Sequence, residues 1–168
     1  MNLHKKEIKA DMKIIVLGGG MVGSAMAADL SSDFEVTVAD LSSEVLKAIA
    51  SKLYVKTVQC DFSNAEEIKK TIAPFDLVIG AVPGFLGFET LKAIIEAGKN
   101  VADISFFPED VLQLDKLAKE KGVTVITDCG VAPGMSNFII GRHNEEMKID
   151  AFEIYVGGLP KVRKKPFQ

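Results

Sequence analysis

Residues Met12–Asp40 read MKIIVLGGGMVGSAMAADLSSDFEVTVAD. Lys13–Leu17 is a run of branched apolar residues, suited to a central parallel strand with both faces buried. Gly18–Gly23 turns the chain. Val22–Leu30 then reads as a helix whose Ala25, Ala27 and Ala28 are small enough to lie close to a sheet. Glu35–Ala39 is a second strand, closed by Asp40. A strand, a glycine turn, a helix and a strand ending in an acid form the opening unit of a dinucleotide-binding fold.

Gly18, Gly20 and Gly23 follow the pattern G-x-G-x-x-G. The first glycine permits the tight turn, the second lets a pyrophosphate approach the backbone, and the third lets the helix pack on the strand. The helix start, with Met21 and Val22, offers free N–H groups and a partial positive charge to phosphates. Asp40 is placed to accept hydrogen bonds from an adenosine ribose and to repel a 2′-phosphate. Leu41, Ser42 and Ser43 follow it, with no lysine or arginine to hold that phosphate, so NAD is expected over NADP. The alternative for Asp40 is a plain helix-capping aspartate.

Outward from this unit the alternation continues. Ser42 and Ser43 cap a helix to about Leu53, and Val55–Cys60 is a third strand. Ser63-Asn64-Ala65-Glu66 has the form of a capping box for a helix to about Ala73. Asp76–Val82 is a fourth strand, broken by Pro83-Gly84. Phe88, Leu91, Ile94 and Ile95 recur at helical spacing, with Gly98 as the residue after the helix. Asn100–Ile104 is strand five. Pro108 is expected to open a helix that Gly122 closes, and Val123–Thr127 is strand six. Phe138–His143 begins another helix. Strands alternating with helices predict an α/β Rossmann fold, a doubly wound parallel sheet in the order 3-2-1-4-5-6.

Ala151–Val156 alternates instead, with Phe152, Ile154 and Val156 on one face, and is expected to be a strand of a second sheet. The expected organisation is a flexible extension over 1–11, an NAD-binding domain over 12–148, and the start of an incomplete substrate or catalytic domain over 149–168. The basic run Lys161–Lys165 reads as a solvated linker.

The bulk composition narrows the classes. A net charge of −3 over 168 residues carries no nucleic-acid footprint. The apolar runs are short of the ~18 residues of a membrane span. The N-terminus is charged and lacks a secretory apolar core. Cys60 and Cys129 stand apart from any Cys/His cluster, so no metal site is expected, and free thiols suit a cytoplasmic setting.

The remaining candidates lie at strand ends. Asp61 follows strand three and can either reach an adenine amino group or form an Asx turn before Ser63. Ala81, Val82 and Pro83 end strand four beside strand one, where loops pass under the nicotinamide half of a cofactor. Asp103 and Asp128 end strands five and six and are expected to face the crevice where substrate meets cofactor, orienting it or moving a proton. Asp128 has the alternative of capping the next turn. Cys129 reads as a small buried thiol and His143 as a solvated helix end.

Together the glycine turn with Asp40, VIGAVPGFLGF, DCGVAPGMSN and IYVGGLP resemble the saccharopine dehydrogenase-like family, most of all its L-lysine 6-dehydrogenases. The resemblance spans residues 12–165, and its specific segments are DCGVAPGMSN and YVGGLP. It implies an enzyme of roughly twice this length, with a substrate domain inserted after the Rossmann half, acting on a small amino-acid substrate as a homodimer. The implied reaction is NAD-dependent oxidative deamination of the lysine side chain to a semialdehyde. The alternatives are a saccharopine or carboxynorspermidine type dehydrogenase acting on a secondary amine, and a regulatory NAD-sensing module that does no chemistry.

Overall fold

The computed structural model describes residues 11–156. Its elements are β1 (Lys13–Leu17), α1 (Met21–Leu30), β2 (Glu35–Asp40), α2 (Ser43–Ala50), β3 (Lys56–Gln59), α3 (Ala65–Ile72), β4 (Leu77–Gly80), α4 (Gly84–Glu96), β5 (Asn100–Asp103), a 3-10 turn (Val111–Leu114), α5 (Asp115–Lys121), β6 (Val125–Ile126) and α6 (Met135–Asn144). The chain divides into two compact units, the first running to Cys129 and the second starting at Gly130, earlier than the 148/149 boundary expected. The extension at 1–10 and the GGLP and basic segments after Val156 lie outside the described residues.

In the first unit six strands form one parallel sheet, in the order β3-β2-β1-β4-β5-β6. This is the α/β doubly wound architecture expected. The pleat divides the core in two. Val16, Val36 and Val38 point to one face and meet Ala27 of α1 with Leu46 and Ile49 of α2. Ile15, Leu17, Ala39, Val78 and Val101 point to the other, covered by Ile68 and Ile72 of α3 and Leu91, Ile94 and Ile95 of α4. Each such Leu or Ile, fully buried, contributes about 1.5–3 kcal/mol relative to exposure. β1 is at the centre because both of its faces are apolar, and the crossovers diverge between β1 and β4, opening a crevice at the carboxyl ends of the strands.

Local chemistry sets the helix ends, and here the structure corrects several expectations. Ser42 caps α2 as expected, its side chain accepting from Val45 N–H. The cap of α3 is Asn64 rather than Ser63: the Asn64 Oδ1 accepts from Glu66 and Glu67 N–H, while Ser63 is drawn to Asp61. Pro108 does not open a helix. Asp110 caps the 3-10 turn through Leu112 N–H, because an aspartate side chain can take a free N–H and proline cannot. Gly98 (φ 70°) and Gly122 (φ 66°) end their helices in the left-handed conformation. Strand six shrinks to two residues.

In the second unit, α6 begins at Met135, after the turn at Gly130–Gly134. Ala151–Val156 does not form a strand; all six residues are exposed and without regular structure. An alternating pattern supplies two faces, but a strand also needs a ladder partner for its N–H and C=O groups, and none is found among the described residues.

Candidate functional site

The glycine turn joins β1 to α1 at the carboxyl edge of the sheet. Gly18 has φ 107°, a conformation open mainly to glycine, and a Cβ there would collide with the Ala81 carbonyl. Its N–H donates to Ala39 C=O at 2.8 Å, tying the turn to β2. A Cβ at Gly23 would strike the Gly18 carbonyl, so the helix presses directly on the turn. Gly20 differs: no atom lies within 4 Å of the place its Cβ would occupy. The turn is thus tight on its inner side and open on its outer side.

That open side faces the start of α1. Ser24 N–H to Gly20 C=O, at 2.9 Å, is the first bond of the helix, and no side chain caps it. The N–H groups of Met21, Val22 and Gly23 are therefore left for an incoming acceptor, with the positive end of the helix dipole behind them. Met21 and Val22 are exposed. Free N–H groups and a positive helix end are the features that receive a phosphate.

Asp40, at the end of β2, is half-buried. Its Oδ2 accepts from Gly19 N–H at 2.7 Å and its Oδ1 from Ser42 N–H at 2.8 Å. One carboxylate thus holds the glycine turn and the start of α2 together. Each carboxylate oxygen has a second lone pair, so the group can still accept from a ribose hydroxyl. Gly19 was not singled out by sequence, yet a Cβ on it would press into Val45, Ile49 and the Asp40 carboxylate.

Asp61 forms the Asx turn: its Oδ1 accepts from Ser63 N–H at 2.8 Å and Ser63 Oγ at 2.7 Å. These bonds hold its pKa below the usual carboxylate value. Glu67 receives Asp61 N–H at 2.9 Å. At the end of β4, Ala81 N–H continues the ladder to Leu17 C=O at 2.9 Å. Val82 is buried and Pro83 precedes the first turn of α4. The turn Ala81–Pro83 therefore lies beside Gly18 across the switch point.

The two acids at the ends of β5 and β6 part company. Asp103 was expected to face the crevice, and it does not. It shares the parity of Val101, which points into the core under α4, and its residue is only 3% exposed. Its Oδ1 accepts from Ser105 Oγ at 2.9 Å, and its Oδ2 has no partner among the described residues. Burial pushes the carboxyl up to about 6; Ser105 opposes this, and repulsion from Asp128 adds to it. Asp128 is exposed and has a φ of 55°, a left-handed conformation uncommon for a residue with a side chain. Cys129, half-buried, donates its N–H to Asp103 C=O at 3.0 Å, and burial raises its thiol pKa. His143, late in α6, is exposed.

A glycine turn closed inward and open outward, an uncapped helix start and an acid at the end of the second strand define an NAD(P)-binding domain. No helix among the described residues is long and apolar enough to cross a membrane, and no cluster among them has the residues to hold a metal ion. Residues 14–126 match the family described as saccharopine dehydrogenase NADP binding domain. The chain belongs to that family. It is 29% identical over 158 residues to the NADP(+), L-glutamate-forming saccharopine dehydrogenase of Pyricularia oryzae, covering 90% of this chain and 35% of the relative. It is 26% identical over 156 residues to the mitochondrial alpha-aminoadipic semialdehyde synthase of Rattus norvegicus, covering 88% of this chain and 17% of that one. The fold is shared with apo saccharopine dehydrogenase (L-Glu forming) from Saccharomyces cerevisiae, with a TM-score of 0.73 and 23% identity over 80% of this chain and 31% of the other. The chain thus spans about a third or less of the length of these relatives. The likeness is to saccharopine dehydrogenases and the semialdehyde synthases, not specifically to L-lysine 6-dehydrogenase.

Proposed function

We propose that this chain is the dinucleotide-binding part of an oxidoreductase acting at a carbon–nitrogen bond of an amino acid, with a secondary amine of the saccharopine type as the favoured substrate. The observation that carries the reading is the family match over residues 14–126, made on a chain whose glycine turn and helix start are shaped for a pyrophosphate. The curated relatives named above favour the secondary amine over the primary amine of lysine.

When bound, a nicotinamide dinucleotide would supply the hydride acceptor. The chain's own residues bind and orient it. Gly20, Met21 and Val22 receive the phosphates, Asp40 the adenosine ribose and Asp61, through its second oxygen, the adenine. Ala81, Val82 and Pro83 line the nicotinamide half. An ammonium cannot release hydride to give an imine, and the reference pKa of an alkylamine is ~10.4, so a proton acceptor is needed first. Asp128 is proposed for that role, since it is exposed at a strand end and held in a strained conformation. Asp103, enclosed under α4, acts on the site without touching substrate. We further propose NAD as the preferred cofactor, because the residues after Asp40 carry no cation for a 2′-phosphate. The setting proposed is a cytoplasmic homodimer, checked by sedimentation of the full-length protein.

Two measurements test the reading. Full-length protein with saccharopine should reduce the dinucleotide faster than with lysine; turnover with lysine alone would return the deaminase reading, and no turnover with either would favour a sensing module. Asp40→Ser should relax the preference for NAD by about tenfold or more, the equivalent of ~1.4 kcal/mol; unchanged discrimination against NADP would remove Asp40 from that role.

A further inference from the structure

Asp103 is a buried acid that the fold satisfies only in part: Ser105 donates to its Oδ1, and its Oδ2 has no partner among the described residues. β4 brings Gly80, where any Cβ would collide with the Asp103 Oδ1. α4 turns a stripe to this face of the sheet that includes Gly87 and Thr90, both buried, and the place of a Cβ on Gly87 lies 2.9 Å from the Ser105 Cβ. The Thr90 hydroxyl, like the Asp103 Oδ2, has no partner among the described residues. The segment after β6 brings Asp128 and Cys129. Asp128 acts on Asp103 through space, and among the described residues no cation does.

The location matters as much as the burial. Gly80, paired in register with Asp103, accepts from Ile104 N–H at 3.0 Å and runs at once into Ala81, Val82 and Pro83. A charge on Asp103 therefore lies at the foot of the turn that lines the nicotinamide half. The oxidised nicotinamide ring is a cation and the reduced ring is neutral. A carboxylate fixed nearby in a poorly hydrated setting attracts the first and is indifferent to the second.

We propose that Asp103 sets the preference of the site between oxidised and reduced dinucleotide: its carboxylate favours the oxidised form, and its protonation removes that bias. The proposal rests on the dinucleotide reading above. It gives a buried, half-satisfied acid a reason to be where it is, since an apolar or amide residue would fill the same space without the charge. With the carboxyl displaced to about 6, the switch falls within reach of ordinary solution pH.

The test is a titration of full-length protein with NAD+ and NADH, and in parallel with NADP+ and NADPH, between about pH 5 and 8. Affinity for the oxidised form relative to the reduced form should rise about tenfold as pH increases through this range, a size that Coulomb attraction across a partly buried site allows. Asp103→Asn should hold the ratio at its low-pH value throughout. Ser105→Ala, which removes a bond that favours the ionised acid, should move the midpoint to higher pH. A flat ratio in the unmodified protein overturns the proposal, as does a pH dependence that survives Asp103→Asn and vanishes in Asp128→Asn. Should Asp103→Asn fail to fold, the unmodified curve and the Ser105→Ala midpoint decide. Failure to bind either pair removes the dinucleotide reading and this proposal together; binding with a flat ratio removes this proposal alone.

Discussion

Asp40 closes β2 and Asp103 closes β5, at the same edge of one parallel sheet. Asp40 stays half-exposed, with both oxygens engaged by the N–H groups of Gly19 and Ser42. Asp103 is enclosed, with one oxygen on Ser105 and the other without a partner among the described residues. The residue type and the strand end are the same; the neighbours differ. Beside β2 a glycine turn and a helix start present main-chain donors. Beside β5 the acid is enclosed under α4, and Ser105 alone among the described residues hydrogen-bonds it. One carboxylate is thereby built into the scaffold as a brace, and the other is held in a state the surroundings resist.

The largest effect that tests this contrast comes from Asp103→Asn. The Asp103 pKa is raised on folding, so the folded state favours the neutral acid. Its contribution to stability is fully present below about pH 4 and is lost as pH rises through about 6. A displacement of about two pKa units corresponds to about 3 kcal/mol, so Asp103→Asn should be more stable than the unmodified protein by up to that amount at pH 8, and no more stable near pH 4. Urea denaturation at the two pH values checks it; a variant less stable at both would erase the difference between the two acids.

Asp40→Ala should act in the other direction, costing about 2 kcal/mol at neutral pH through two charge-assisted bonds. Its signature in solution is faster amide exchange at Gly19 and Ser42; unchanged exchange there would show that Asp40 is not a brace. Ser105→Ala is the smallest of the three, costing about 1 kcal/mol at pH 8 and less in acid, where Asp103 is neutral. Equal loss at both pH values would mean that Ser105 does not serve the ionised form.

The strand order, the roles of Gly18 and Gly23 in shaping the turn, and the place of Asp40 at the end of β2 were legible in the sequence because each depends on local pattern. Branched apolar runs mark buried strands, and glycine spacing marks the turn. What escaped depended on partners distant in the chain. Ser63 and Asn64 are both able to cap a helix, and only the pull of Asp61 on Ser63 decides between them. Asp103 looked like a crevice residue because it ends a strand, but the pleat parity that takes Val101 into the core takes Asp103 with it. Ala151–Val156 has the rhythm of a strand without an adjacent backbone among the described residues to pair with. Ser105, Gly80 and Gly19 carry no motif, and their importance is visible only once the atoms around them are placed.

Gly19 has a consequence for how such chains are recognised and altered. In the pattern G-x-G-x-x-G it stands at a position written as variable. Here that position is hemmed in by the side chains of Val45 and Ile49 on α2 and by the Asp40 carboxylate. The freedom of one letter in the motif is therefore governed by residues more than twenty positions downstream. A larger residue at 19 must displace the side chains of Val45 and Ile49, so a mutational library that varies the turn alone should recover glycine there most often, while one that varies all three together should admit larger residues more readily.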